Sequence, residues 1–229
     1  MRPQQRGAEY LEGVSIMKIT LSTAQAVTLS KAIKPAIGTD PIRNHLMTVE
    51  ISTTTDGAKF TTTDGYRMHQ VTIAASDGWQ INDGEKINVA GKELVSNLAL
   101  FAKNNGKGDG SVTLRNVSDD GDQILNLMMT SSASMVVVVD IIDREFPNCA
   151  AILDTDPATS ELVCQFDAEY LADIVTAAGI VGKTKKAKGA EPASPVKILN
   201  INPSKPCHVT ATNADMGMSF HGVIMPQRP

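Results

Sequence analysis

Little in this sequence is aromatic: Phe, Trp and Tyr together make 4% of the 229 residues, so aliphatic side chains and methionine must fill any interior. Cysteine is scarce too. Cys149, Cys164 and Cys207 are odd in number and show no C-x-x-C spacing, which argues against a disulfide framework and a thiolate metal knuckle and for a reduced, cytosolic compartment. No apolar run reaches the ~18 residues that a membrane-spanning helix needs. Residues Met1 to Gly13 are polar and lack the apolar core of a signal peptide; they read as a loose arm or an upstream extension, with the core starting near Met17. An excess of positive charge is also missing. The net charge of −4 excludes a grossly basic nucleic-acid binder, but not a protein that gathers its lysines on one surface. What remains is 42% hydrophobic and 20% charged, a globular composition with enough length for one or two real cores.

The chain reads as a pattern that recurs. Residues 17–21 alternate as a strand, and Ser22 or Thr23 can cap a helix in which Ala26, Leu29, Ile33 and Ile37 share a face and Pro35 ends or kinks the run. Three strand-like runs follow, 45–52, 58–62 and 67–74, separated by Asp56-Gly57 and Asp64-Gly65 turns. The order then repeats: strand 86–90, helix 92–103, strands 111–117, 123–129 and 134–142. Val136 to Val139 is a continuous β-branched run, which predicts burial on both faces. A third round has strand 161–166, a helix capped by Asp167 with Tyr170, Leu171, Ile174, Val175 and Ala178 as its apolar stripe, and strands 196–201, 208–212 and 218–225. The expectation is an α+β protein of three strand-helix-strand-strand-strand units, with helices on one face of antiparallel sheets. The expected boundaries are an arm over 1–16, a complete two-unit domain over 17–145, a linker over 146–159 and a single-unit half-domain over 160–229.

Three short stretches sharpen this: Thr62-Thr63-Asp64-Gly65-Tyr66-Arg67-Met68, Arg144-Glu145-Phe146-Pro147, and Val223-Ile224-Met225-Pro226-Gln227-Arg228-Pro229 at the C-terminus. Together, in this order, they resemble the sliding clamp of bacterial DNA replication, the beta subunit of DNA polymerase III. That family carries a Thr-Asp-Gly-His-Arg-Leu strand, a Phe-Pro linker and a Met-Pro-x-Arg tail. The resemblance implies a ring of twelve such units, paired into six domains, with helices inside. It implies a processivity factor and no enzyme: a ring that encircles duplex DNA, needs no cofactor and tethers the polymerase and clamp loader. The first two units match the family's middle domain across roughly 18–153; the third matches the final half of its last domain. Four copies of three units make twelve, so a homotetramer comes first and a homotrimer second, with odd units completing a domain across a subunit boundary. A bacterial cell, or a phage protein in its host, is the implied setting.

Residue by residue, the family's peptide-binding groove falls here on Leu46, Thr63, Gly65, Tyr66, Arg67 and Met68 of the first unit. Pro147, Ala151 and Ile152 come from the linker, and Val223, Met225, Pro226 and Arg228 from the tail, of the same chain or of a neighbour. Tyr66 stands where the family usually has His, and Ala151 where a basic residue is common. Candidate phosphate contacts are Lys31 and Lys34 on the first helix, Lys92, Lys103 and Lys107 around the second, and Lys183, Lys185, Lys186 and Lys188 after the third. Asp167, Glu169 and Asp173 make the third helix's outer face acidic, against expectation for a DNA-facing helix. Two other readings compete. One is an enzyme using Asp64, His69, His45 and Asp56, with Arg67 and His69 on the same strand face, although no metal-binding His pair, nucleophile elbow or phosphate-cradling loop is present. The other is a clamp-like decoy or adaptor that binds replication proteins without encircling DNA.

Overall fold

The computed structural model describes residues 17–104, 110–117, 126–131, 135–149, 165–183, 196–199 and 204–227. β1 (Lys18–Ser22) leads into α1 (Thr23–Ile33) through a reciprocal cap: Ser22 Oγ accepts from the Gln25 amide at 3.2 Å, and Gln25 Oε1 accepts from the Ser22 amide at 2.8 Å. Pro35 falls in the 3₁₀ turn Lys34–Ala36 that ends this helix. β2 (Thr48–Thr54), β3 (Gly57–Thr63) and β4 (Arg67–Ala74) form a meander. The second unit comprises β5 (Lys86–Ala90), α2 (Gly91–Asn104), β6 (Ser111–Val117), β7 (Asn126–Ser131) and β8 (Val136–Asp140). In the third, Asp167 caps α3 (Ala168–Gly182), accepting from the Glu169 and Tyr170 amides at 2.9 and 3.2 Å, and β9 (Lys197–Leu199), β10 (Cys207–Asn213) and β11 (Met218–Ile224) follow. The strand expected over 161–166 lies almost wholly outside the described residues.

The first strand of each of the first two units crosses to the other unit's sheet. One sheet runs β1-β6-β7-β8 and the other begins β5-β2-β3-β4, all antiparallel, so neither unit can complete its sheet alone. β11 then pairs with β4 over seven residues, from Met218 opposite Ile73 to Ile224 opposite Arg67, and extends the second sheet through β10 to β9. Helices α1, α2 and α3 lie against these sheets, α1 contacting both of the others. One apolar core runs through all three units, from Ile19, Leu29 and Phe60 through Leu98 and Phe101 to Ile174, Val181 and Phe220. Gly222 sets how near α3 comes: a Cβ there would lie 2.6 Å from Ile174 Cγ1.

Two expectations are corrected. The run expected as strand from His45 is the 3₁₀ segment Pro41–Met47, begun by Asp40, whose carboxylate accepts from the Ile42 amide at 2.9 Å; the strand starts at Thr48. The valine run is not buried on both faces. β8 is an outer strand, and Val136 and Val138 are 56% and 52% exposed while Val139 is buried. Within the chain, the third unit joins the first through the pairing of β11 with β4.

Candidate functional site

The Asp64-Gly65 turn between β3 and β4 is held by its own side chains. Thr63 Oγ1 accepts from the Gly65 amide at 3.1 Å and donates to the Arg67 carbonyl at 2.8 Å; Asp64 Oδ1 accepts from the Tyr66 and Arg67 amides at 2.9 and 3.0 Å. Gly65 takes φ +91°, which favours glycine. Arg67 points back over this turn. Its Nε donates to Asp64 Oδ2 at 3.0 Å, its Nη1 pairs with Asp173 on α3, and its guanidinium lies 4.6 Å from the centre of the Tyr170 ring. Tyr66 stacks beside Tyr170, with centroids 6.1 Å apart and planes at 24°, and Arg43 approaches Tyr66 from the other side at 5.8 Å. Arg43 is itself paired at 3.1 Å with Asp40, whose carboxyl is held below the usual range by the Ile42 amide and by Arg43.

Among the expected groove residues, Leu46 is buried beneath Gly65. Met68 and Val223 are cross-strand partners and form a small apolar cluster with Phe146 and Cys149 on the sheet face away from the helices. Burial, and then nearby Glu50, push the Cys149 thiol up to about 11, so it sits there as a neutral apolar group. Pro147 lines a cleft of about 770 Å³ on that face with Glu50, Lys59 and Gln70. The Met225 amide meets the Tyr66 carbonyl at 3.5 Å; its side chain is 47% exposed, Pro226 is half-buried, and the Gln227 amide donates to the Gln165 carbonyl at 2.8 Å. Ala151, Ile152 and Arg228 lie outside the described residues. Two residues beside this turn were missed by sequence reasoning: Tyr170, read as part of an apolar stripe of α3, stacks on Tyr66, and Arg43 comes from the 3₁₀ segment ahead of β2. The Asp40-Pro41 pair, a cap followed by proline, was the available signal.

On the helix layer, Lys31 and Lys34 of the first unit and Lys92 and Lys103 of the second line one groove of about 750 Å³ with Val27, Ile37, Val95 and Ala99. No lining residue is acidic. Lys183 is exposed just past α3 and its carbonyl accepts from Asn213 Nδ2 at 2.7 Å. Lys107, Lys185, Lys186 and Lys188 lie outside the described residues. The acidity of α3 has local causes: Asp167 is its cap and Asp173 holds Arg67, leaving Glu169 on the exposed face.

Of the residues in the alternative acid–base reading, His69 is packed in the core and Asp64 is taken up by its own turn and by Arg67. Arg67 and His69 do share a strand face, but it is the face under the helices. The His69 Nδ1–H donates to the Ala32 carbonyl at 2.7 Å, Nε2 is buried without a partner, and the ring sits edge-on to Phe220 at 5.3 Å. Among the described residues, no group of three His, Cys, Asp or Glu side chains could hold a metal.

No protein-family model and no curated protein sequence matches the chain. Solved structures do. The DNA polymerase sliding clamp of Pseudomonas aeruginosa superimposes with a TM-score of 0.67 at 14% identity, covering 100% of this chain and 70% of its own. The beta sliding clamp of C. crescentus gives 0.66 at 16%, covering 93% and 65%. The A. fulgidus PCNA, bound to the C-terminal region of FEN-1, gives 0.59 at 12%, covering 93% and 99%. The chain has the sliding-clamp fold.

Within that fold three histidines lie on strands, His69 on β4, His208 on β10 and His221 on β11. Burial holds His69 down at about 4, and burial together with neighbouring His208 brings His221 to about 4; His208 Nδ1 and His221 Nε2 are 2.8 Å apart. Both values lie below the ordinary 6.5. Between these limits the unfolded chain therefore binds more protons than the folded one, and stability falls as pH drops from 6.5 to about 4. His69 alone sets a slope of up to about 1.4 kcal/mol per pH unit in that window. Urea unfolding at pH 7 and pH 5 should show the loss, and His69→Gln should flatten it; equal stability at both pH values would contradict this account of the core.

Proposed function

We propose that the chain is a DNA sliding clamp, a processivity factor without catalytic activity that encircles duplex DNA and tethers a replicative polymerase and its loader. The observation that carries this reading is the helix-layer groove, where lysines from α1, the turn that ends it and α2, remote in sequence, converge with no acidic residue in the lining. Such a surface suits phosphates, which repeat along any duplex and carry no base information. Sliding needs contacts of this kind, wet and exchangeable. Lys183 and the lysines that follow it in sequence, Lys185, Lys186 and Lys188, belong to the same proposal, as does Lys107 after α2.

The partner site is the junction of the β3–β4 turn, the tail and the linker. Tyr66 and Met225 supply exposed apolar surface and Leu46, Met68 and Val223 the floor, a lining that suits a linear peptide with aliphatic or aromatic anchors. Pro147, Ala151, Ile152, Pro226 and Arg228 belong to the same proposal. Its domains are 17–145 and 160–229 joined by 146–159, its oligomer a closed ring with a tetramer ahead of a trimer, and its compartment the cytoplasm of a bacterial cell. The second reading is a decoy that keeps the peptide site and does not encircle DNA.

Retention on DNA separates the two. Loaded onto nicked circular plasmid, a clamp co-elutes with the DNA through a high-salt gel-filtration column and is released when the plasmid is cut once. Equal retention on circles and on linear DNA, or none on either, contradicts encirclement. Met225→Ala, at an exposed position, should leave the melting temperature unchanged and weaken capture of a polymerase C-terminal peptide about tenfold.

A further inference from the structure

Phosphates account for the lysines of the α1–α2 groove but not for its floor. Contact with a DNA backbone needs exposed cations, not an apolar cavity. Yet the space between these helices holds about 750 Å³, a size usual for a small-molecule site, and Val27, Ile37, Val95, Ala99 and Ala102 line it. The groove also has a direction. Ile37, just past the end of α1, lies against Gly91 at the start of α2, where an added Cβ would be 3.1 Å from Ile37 Cγ2. The end of α1 is therefore beside the start of α2. Lys34, Thr39 and Lys92 gather at that end, and Val27, Ala99 and Lys103 at the other. The same end carries the positive pole of α2, because Ala90 ahead of it has no side-chain oxygen to cap the first amides. Glu93 of that turn is exposed and is not in the lining. From Lys92 to Lys103 the helix rises about 16 Å, long enough for a medium-length alkyl chain.

We propose that this groove binds a small amphipathic anion of the medium-chain fatty acid class, its carboxylate at Lys34, Thr39 and Lys92 and its chain along Val95, Ala99 and Val27. The charge of the lining selects the sign of the head group. Lys31, Lys34, Lys92 and Lys103 face it with no carboxylate among them, so an anion is favoured and a cation of the same shape is rejected. The floor selects the tail. Each methylene taken out of water raises affinity by about fourfold, which a bare inorganic anion on the same lysines cannot gain. Ser30 and Ser96 are the hydroxyl-bearing side chains of the middle stretch, and Ser30 is already committed: its Oγ donates to the Val27 carbonyl at 2.9 Å. The middle of the groove is thus suited to a chain and its Lys34–Lys92 end to a head group. This site uses lysines that the DNA reading also uses, but it does not rest on that reading. Where both hold, the two ligands exclude each other.

Titration calorimetry of the full-length chain with sodium dodecanoate, kept below its micelle-forming concentration, tests the site. Saturable binding of one dodecanoate per chain is expected, at least tenfold weaker for octanoate and absent for dodecyltrimethylammonium. Ala99→Phe fills the groove from an exposed position and leaves every lysine in place; it should weaken dodecanoate at least tenfold. Leu100→Phe, one residue further on the same helix, also exposed and outside the lining, should leave binding unchanged. Both variants are checked for fold by circular dichroism. Equal binding by the two variants, non-saturating uptake, or dodecyltrimethylammonium bound as well as dodecanoate overturns the site. The readout needs no DNA. Groove-specific dodecanoate binding without circle-specific retention sinks the clamp reading and keeps the site, whereas circle-specific retention without dodecanoate binding sinks the site and keeps the clamp.

Discussion

Arg67→Ala should lower the unfolding free energy by about 2 kcal/mol and loosen α3 from the rest of the molecule. The side chain is only 12% exposed and has three partners at once: Asp64 in its own turn, Asp173 on α3 and the face of Tyr170. Breaking a fully buried pair costs about 3–5 kcal/mol, because the remaining charge stays desolvated. Here Asp173 is 46% exposed and can turn to water, which reduces the figure. The consequence is larger than one ion pair, since this contact lies where the third unit joins the first. Arg67 is thus a clasp before it is a donor to any ligand. Guanidinium melts of Arg67→Ala against Arg67→Lys should separate the parts: lysine keeps a charge for Asp173 but loses the fork that reaches Asp64 as well, and should recover about half. Wild-type stability in Arg67→Ala would remove the clasp from the account.

The second large effect is on DNA. Reversing Lys31, Lys34, Lys92 and Lys103 to glutamate should abolish retention on circular DNA while leaving the fold intact, because all four are exposed and none is in a described ion pair. Replacing them by alanine one at a time should reduce the salt dependence of binding, by about 0.9 in the log–log slope for each phosphate no longer neutralised. Retention that survives the fourfold reversal would place the DNA on another surface.

Much of this architecture was legible because local signals agreed with the global pattern. β5 and β6 run between the residues that alternation alone predicted, and Asp167 caps its helix as its position required. The failures have physical causes. The Val136–Val139 run has the composition of a doubly covered strand, but composition cannot say whether a layer packs over the second face; Val137 and Val139 meet the core, while Val136 and Val138 point to the open face. Residues 45–47 look apolar enough for a strand, yet the cap at Asp40 and Pro41 had already committed the chain to a 3₁₀ path. At the site, the turn chemistry of Thr63, Asp64 and Gly65 could be read locally, whereas the meeting of Arg67 with Tyr170 and Asp173 joins positions more than a hundred residues apart, which no spacing announces. The lysine groove lay between these extremes. Each lysine was visible as an exposed position on its helix, but only the packing of α1 against α2 brings the four together.

Negative-stain electron microscopy of the full-length chain at micromolar concentration bears most directly on whether copies of this chain close around a double helix. The account predicts uniform rings whose central hole is wide enough for duplex DNA. A field of compact single copies, with no hole in any class average, would contradict it.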